Sequence, residues 1–287
     1  MAKKHSDKSK SVKIPKTISI PIAILSKISQ KLTTSFAAKI FGTPQKYKIP
    51  KRELEMDSKS TQKQVFIPAI KKTIVVYEYG SGTKNILLAH GWSGRGTQLF
   101  KIADAMVAQG FRTISFDAPG HGKSSGNRTI MLEFVEIILE LERIYGKFHA
   151  AVGHSLGGIS LLNAARLGLK LEKLVTIGAA DKIEDIIADF TKTIGLEQKY
   201  NVLLKKHFED KYNKPLSSFS AYMAAQEVSI SVLVIHCKND YEVPVFCAEN
   251  IFNHMKNGEL FLTENLGHRK ILGDNTVIEK LTKFIKL

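Results

Sequence analysis

From Gln64 onward, hydrophobic positions fall into short apolar runs that alternate with longer stretches repeating every three or four residues. Residues 64–68 and 73–79 read as an antiparallel opening pair, Gly80-Ser81-Gly82 as a turn, and 85–89 as a buried strand. Helical and strand periods then take turns: helix 97–109, strand 111–116, helix 129–145, strand 147–152, helix 159–167 and strand 174–178. Residues 181–226 break that rhythm. They are polar and helical with no clear strand, and are expected to form a small cap inserted after a core strand. Strand 232–236, helix 245–252, strand 259–263 and helix 275–285 resume the alternation. Eight strands joined mainly by helices predict an α/β fold whose mostly parallel sheet is flanked by helices on both faces.

The first sixty residues follow another pattern. Residues 1–17 are rich in Lys and Ser and are expected to be disordered. Pro21 then opens a predicted helix reaching Phe41, with Ile22, Leu25, Ile28, Leu32, Phe36 and Ile40 on one apolar stripe and Lys27, Lys31 and Lys39 elsewhere. Such a stripe fits a helix docked on the body of the protein, and it also fits an interfacial helix resting on an anionic membrane. Gly42-Thr43-Pro44 ends it, and 46–63 reads as a polar, basic connector. The domain organisation expected is therefore an arm over 1–63 and a domain over 64–287, with the cap at about 181–226.

Charge sharpens this division. The chain has 287 residues and a formal net charge of +15. Residues 1–72 hold 17 Lys and Arg against 4 Asp and Glu, whereas 73–287 hold 25 against 23. The basic character belongs to the arm, so a polyanion or an anionic membrane surface would be met there; no nucleic-acid partner is expected for the body. Cys237 and Cys247 match no zinc-ligand spacing and read as free buried thiols. There is no apolar run long enough for a transmembrane helix, and 18–25, interrupted by Ser19 and Pro21, imitates a signal peptide only weakly. A cytoplasmic location, with peripheral membrane association as its companion, is the expectation.

Candidate chemistry lies just after the predicted strands, where open parallel sheets place their sites. Gly153-His154-Ser155-Leu156-Gly157 sets a serine on the bend between a strand and a helix, which pushes its hydroxyl out of the sheet and points the helix's unpaired N–H groups toward it. His90-Gly91-Trp92-Ser93-Gly94 follows the 85–89 strand and can aim the Trp92 N–H at the same point as that of Leu156, giving two oxyanion donors. A serine nucleophile needs a base, and the base needs a carboxylate to fix its tautomer. Asp240 follows strand 232–236 and His268 follows strand 259–263, so the order is Ser155, Asp240, His268. Asp181, after strand 174–178, is the alternative acid. His121 follows a strand too, but its loop is expected to shape the floor of the site; His154, beside Ser155, is expected to point away from that serine. Gly122-Lys123-Ser124 is no phosphate loop, because Asp117 stands where the first glycine is needed.

Together, His90-Gly91, the loop from Asp117 to Ser124, the Ser155 elbow, Asp240 with Val243-Pro244 behind it, and Gly267-His268 resemble the α/β-hydrolase family, in particular its lysophospholipase, monoacylglycerol lipase and serine-aminopeptidase-like esterase branch. The resemblance spans about 64–287. It departs at Cys237 and Pro119, where glycine and arginine are common, and it omits the arm. It implies acyl transfer to water from small or lipid-like esters, without a metal or organic cofactor, and turnover rising with pH through the ordinary histidine range, about 6.5. Peptidase, thioesterase or C–C hydrolase chemistry on the same three residues stays open, as does a noncatalytic membrane-surface module.

Overall fold

The computed structural model describes residues 15–287; the expected disorder of 1–14 lies outside the described residues. One sheet of eight strands organises the chain: β1 (Thr61–Ile67), β2 (Lys72–Tyr79), β3 (Asn85–Ala89), β4 (Arg112–Asp117), β5 (Phe148–His154), β6 (Leu171–Ile177), β7 (Ser231–Cys237) and β8 (Gly258–Thr263). Their spatial order is β1-β2-β4-β3-β5-β6-β7-β8. The β1–β2 and β2–β4 pairs are antiparallel, and every later pair is parallel. The β3–β4 crossing places β3 inside the sheet, so the parallel strands β3, β5, β6, β7 and β8 end along one edge.

The central strands read as unbroken apolar runs because both of their faces are covered. On one face, Ile86, Leu88, Val152, Val175, Ile177, Leu233 and Ile235 join a cluster with Ile102 and Met106 of helix Phe100–Ala108 and Val277, Leu281 and Ile285 of helix Asn275–Lys286. The alternate residues Leu87, Ala151, Leu174 and Val234 are buried too. Helices Met131–Tyr145 and Leu156–Arg166 pack on each other, and Ala221–Glu227 packs on the latter.

The described chain falls into two compact units. One contains residues up to 40 together with 184–214, and the other contains 41–183 and 215–287. The sheet and all its strand-end loops belong to the second. The first consists of helices Lys16–Ile28, Gln30–Phe41, Ile183–Thr193 and Lys199–Tyr212, apart from their boundary residues.

Two expectations for the arm are corrected. In place of one helix there are two, because Ser29 adopts extended φ −156° and ψ 121° between them. The first begins at Lys16, before Pro21, which lies inside it and removes the bond that would run to the Thr17 carbonyl. The connector is also more ordered than its polarity predicts. It forms a short 3-10 turn, Lys51–Glu53, and a helix, Leu54–Lys59, because Met56 is fully buried and Glu53 is 4% exposed against a buried partner.

Candidate active site

Ser155 sits where β5 hands over to helix Leu156–Arg166. Its backbone is held at φ 50° and ψ −117°, a left-handed conformation that a serine adopts only when its surroundings enforce it. Backbone hydrogen bonds on either side of the residue supply that constraint. The Ser155 N–H donates to the Ile177 carbonyl at 2.8 Å, and its own carbonyl accepts from the Gly158 N–H at 2.9 Å. Beneath the turn, the helix crosses β3 so closely that a Cβ on Gly157 would lie 2.2 Å from the Ala89 carbonyl oxygen. Only glycine permits that approach. Among the described residues the Ser155 hydroxyl makes no hydrogen bond.

His268 follows β8, in the short helix Gly267–Lys270, and is 8% exposed. Its Nδ1 lies 2.7 Å from Oδ2 of Asp240, which follows β7. The other Asp240 oxygen accepts from the Glu242 and Val243 N–H groups at 2.8 and 2.9 Å. Burial alone pushes the Asp240 carboxyl up, but the hydrogen bond and charge of His268, together with those two N–H groups, outweigh it and hold the carboxyl below its ordinary value. An ionised Asp240 fixes the proton of His268 on Nδ1 and leaves Nε2 as the accepting nitrogen. Asp181, the alternative acid, is turned elsewhere: its Oδ2 accepts from Asn250 Nδ2 at 2.6 Å.

Two further histidines brace this pair. His154, the residue before Ser155, puts Nε2 2.9 Å from the backbone carbonyl of His268, and the two rings lie 4.7 Å apart. The carbonyl can only accept, so the His154 proton is on Nε2. Burial pushes this imidazole down to about 3, which keeps it neutral. His236 donates from Nε2 to the Val243 carbonyl at 2.9 Å, and the same nitrogen is 3.7 Å from Asp240 Oδ2. Neither contact is legible in sequence, although a histidine beside the elbow serine is a signal worth testing.

The loop after β3 is built by accounting for its N–H groups. Gly91 donates to Gln98 Oε1 at 2.9 Å, Ser93 to His121 Nε2 at 3.1 Å, Gly94 to the Gly91 carbonyl at 2.9 Å, and Gly96 to Asp117 Oδ1 at 2.6 Å. The N–H groups of Trp92 and Leu156 have no acceptor among the described residues. The loop comes close to the elbow, since a Cβ on Gly91 would be 3.2 Å from the Ser155 Cβ. Trp92 is 38% exposed and meets the His121 ring edge-on at 5.4 Å.

Beneath the loop, His90 and His121 are both buried and neutral. Burial lowers them to about 4 and about 3 respectively. His90 accepts the Ala118 N–H on Nε2 and donates from Nδ1 to the Gly91 carbonyl. His121 accepts on Nε2 from Ser93 and donates from Nδ1 to the Pro119 carbonyl at 3.2 Å. Asp117 ties the floor together. Fully buried, it accepts from Tyr77 Oη at 2.8 Å and from the Gly96 and Lys123 N–H groups at 2.6 Å each. The connector reaches the same loop: Glu53 accepts from Thr97 Oγ1 at 2.8 Å beside buried Arg95, and the Gln45 N–H donates to Ser93 Oγ at 3.0 Å. Among the described residues, no cluster of His, Cys, Asp and Glu could hold a metal, and no helix is long and apolar enough to cross a membrane.

Residues 84–220 match the profile of a family described as alpha/beta hydrolase fold. A 2-hydroxy-6-oxononadienedioate/2-hydroxy-6-oxononatrienedioate hydrolase from Cupriavidus pinatubonensis is 31% identical over 112 residues, which cover 34% of this chain and 37% of that protein's length. Among solved structures, an esterase from Exiguobacterium antarcticum superposes with a TM-score of 0.63 at 19% identity, covering 79% of this chain and all of its own. A monoacylglycerol lipase from Paleococcus ferrophilus gives 0.58 at 20% identity over 74% of this chain and 97% of its own.

Proposed function

The chain has the α/β-hydrolase fold, and from that premise we propose that it is a serine hydrolase that cleaves small or lipid-like carboxylic esters. The observation that carries this reading is the 2.7 Å pairing of His268 Nδ1 with a buried Asp240, on loops at the same sheet edge as a serine held at φ 50°. In the proposed reaction His268 Nε2 takes the Ser155 proton while Oγ attacks the ester carbonyl carbon. The carbonyl π electrons move onto oxygen, and the Trp92 and Leu156 N–H groups receive that oxyanion. His268 then returns the proton to the leaving alcohol, the C–O bond breaks, and an acyl-Ser155 remains. Water, deprotonated by the same imidazole, hydrolyses it and regenerates the hydroxyl. Throughout, Asp240 stays ionised and stabilises the imidazolium. No step calls on a metal or an organic cofactor. The arm supplies the remaining part of the proposal: a cytoplasmic enzyme that meets an anionic membrane surface through its basic N-terminal segment.

A fluorophosphonate probe tests the chemistry directly. The native chain should be labelled at Ser155 and should turn over p-nitrophenyl esters; Ser155→Ala should lose both, with turnover falling by several orders of magnitude. A folded native chain that neither reacts with the probe nor hydrolyses any ester in a series of graded acyl length would overturn the reading. The partial likeness to a 2-hydroxy-6-oxo-dienedioate hydrolase favours one second reading, C–C hydrolysis by the same residues. It predicts Ser155-dependent turnover of a vinylogous 1,5-diketone with ester turnover far behind.

A further inference from the structure

Helix Lys16–Ile28 is apolar on two opposite faces. Ile22 is 2% exposed, and Ile18 and Leu25 beside it are partly covered. On the other side Ile20, Ile24 and Ile28 are 54, 53 and 69% exposed. Spaced four apart, they form one outward row about 12 Å long. Lys16 and Lys27 border that row and are exposed; Leu32, 54% exposed, and Lys31 follow on the next helix. A surface helix of a globular protein ordinarily turns polar residues outward, so a row of isoleucines facing water needs an occupant.

We propose that this row is the seat for an anionic lipid surface, with Ile20, Ile24 and Ile28 entering the boundary between headgroups and acyl chains while Lys16, Lys27 and Lys31 reach the phosphates. The proposal rests on the membrane part of the reading above and names the side chains that perform it. Charge selects the occupant. Residues 1–41 contain nine lysines and a single acidic residue, Asp7, so a second copy laid face to face would set lysines against lysines without carboxylates to pair them. A sheet of lipid phosphates supplies that countercharge. Thirteen residues make a helix about 20 Å long, too short to cross a bilayer, so the helix lies in the plane of the interface. Lysines at its edge extend their aliphatic stems along the apolar row and keep the ammonium in the headgroup layer.

The test uses the full chain. Cys237 and Cys247 are both buried, so Ile24→Cys offers one accessible thiol for a polarity-sensitive fluorophore. With vesicles of phosphatidylglycerol and phosphatidylcholine the emission should shift to the blue, and with pure phosphatidylcholine it should not. A triple variant, Ile20→Ser with Ile24→Ser and Ile28→Ser, should partition onto the anionic vesicles at least about tenfold more weakly, with an unchanged thermal melt and unchanged turnover of a soluble short-chain ester. Unshifted emission while the chain sediments with anionic vesicles would overturn the proposal, because it would show binding by charge alone. So would a triple variant that partitions as the native chain does, or a shift that grows with protein concentration in the absence of vesicles, the signature of a second copy. A native chain without ester turnover whose probe still shifts on anionic vesicles would remove the hydrolase reading and leave this one standing.

Discussion

At the scale of single residues the site is a set of imidazoles that differ in the partners they meet. His268 Nδ1 faces the Asp240 carboxylate, whereas burial holds His90, His121 and His154 neutral. If His268 is the base, its tautomer depends on Asp240 alone, because Asp181 is bound to Asn250. Asp240→Asn should therefore lower kcat on the order of 10³- to 10⁴-fold with little change in KM, while Asp181→Asn should leave turnover near the native rate. Steady-state kinetics on one soluble ester decides it; the reverse ranking would move the acid to residue 181. Both aspartates were visible in sequence as strand-end carboxylates. Position along the chain puts either carboxylate within reach of the same imidazole, and the contacts that distinguish them are tertiary: Asp240 to His268, Asp181 to Asn250. What sequence lacked was the role of His154. A side chain buried beside a strand has no periodic signature that tells which distant carbonyl it will meet, here that of residue 268, 114 positions away.

Among the elements, the parallel strands were the most legible, since burial on both faces leaves an apolar run that polar loops bound on either side. The arm was the least legible. The break at Ser29 has no glycine or proline to announce it, and the short helix Leu54–Lys59 is fixed by the burial of Met56 and by Glu53 meeting Thr97 and Arg95, which are tertiary contacts. The elbow itself depends on how closely helix Leu156–Arg166 approaches β3. Gly157→Ala would drive a methyl group to 2.2 Å from the Ala89 carbonyl oxygen, with backbone on both sides and no rotamer to relieve it. The expected cost is about 2–3 kcal/mol or more of stability, read as a lower urea midpoint. A variant as stable as the native chain would show that the crossing relaxes.

For the molecule as a whole, the neutral histidines make stability depend on pH in a known direction. Each has an ordinary value of 6.5 when unfolded, and the fold lowers His90 to about 4 and His121 and His154 to about 3. Between those limits the unfolded chain binds protons that the folded chain refuses. Their contribution is present in full above about 6.5 and is lost progressively as pH falls toward the folded values. Each histidine should steepen the decline by about 1.4 kcal/mol per pH unit. Urea unfolding followed from pH 7 to pH 4 should show that slope, and His121→Asn should remove one proton's share of it. A midpoint independent of pH across this window would mean that the rings are not shielded as described. Of the whole, the α/β class and the strand order of chemical groups could be read from the chain, whereas the grouping of the first helices with residues 184–214 in one compact unit could not.

Asp117 has a consequence for how the proposed reaction begins. Because one carboxylate holds Tyr77, Gly96 and Lys123 together, and its backbone carbonyl also accepts from Ser124 Oγ, the two loops beneath the site are already assembled before any ligand arrives. Such a preorganised floor spends no binding energy on ordering itself, so the affinity of an ester is free to be used at its reacting carbonyl.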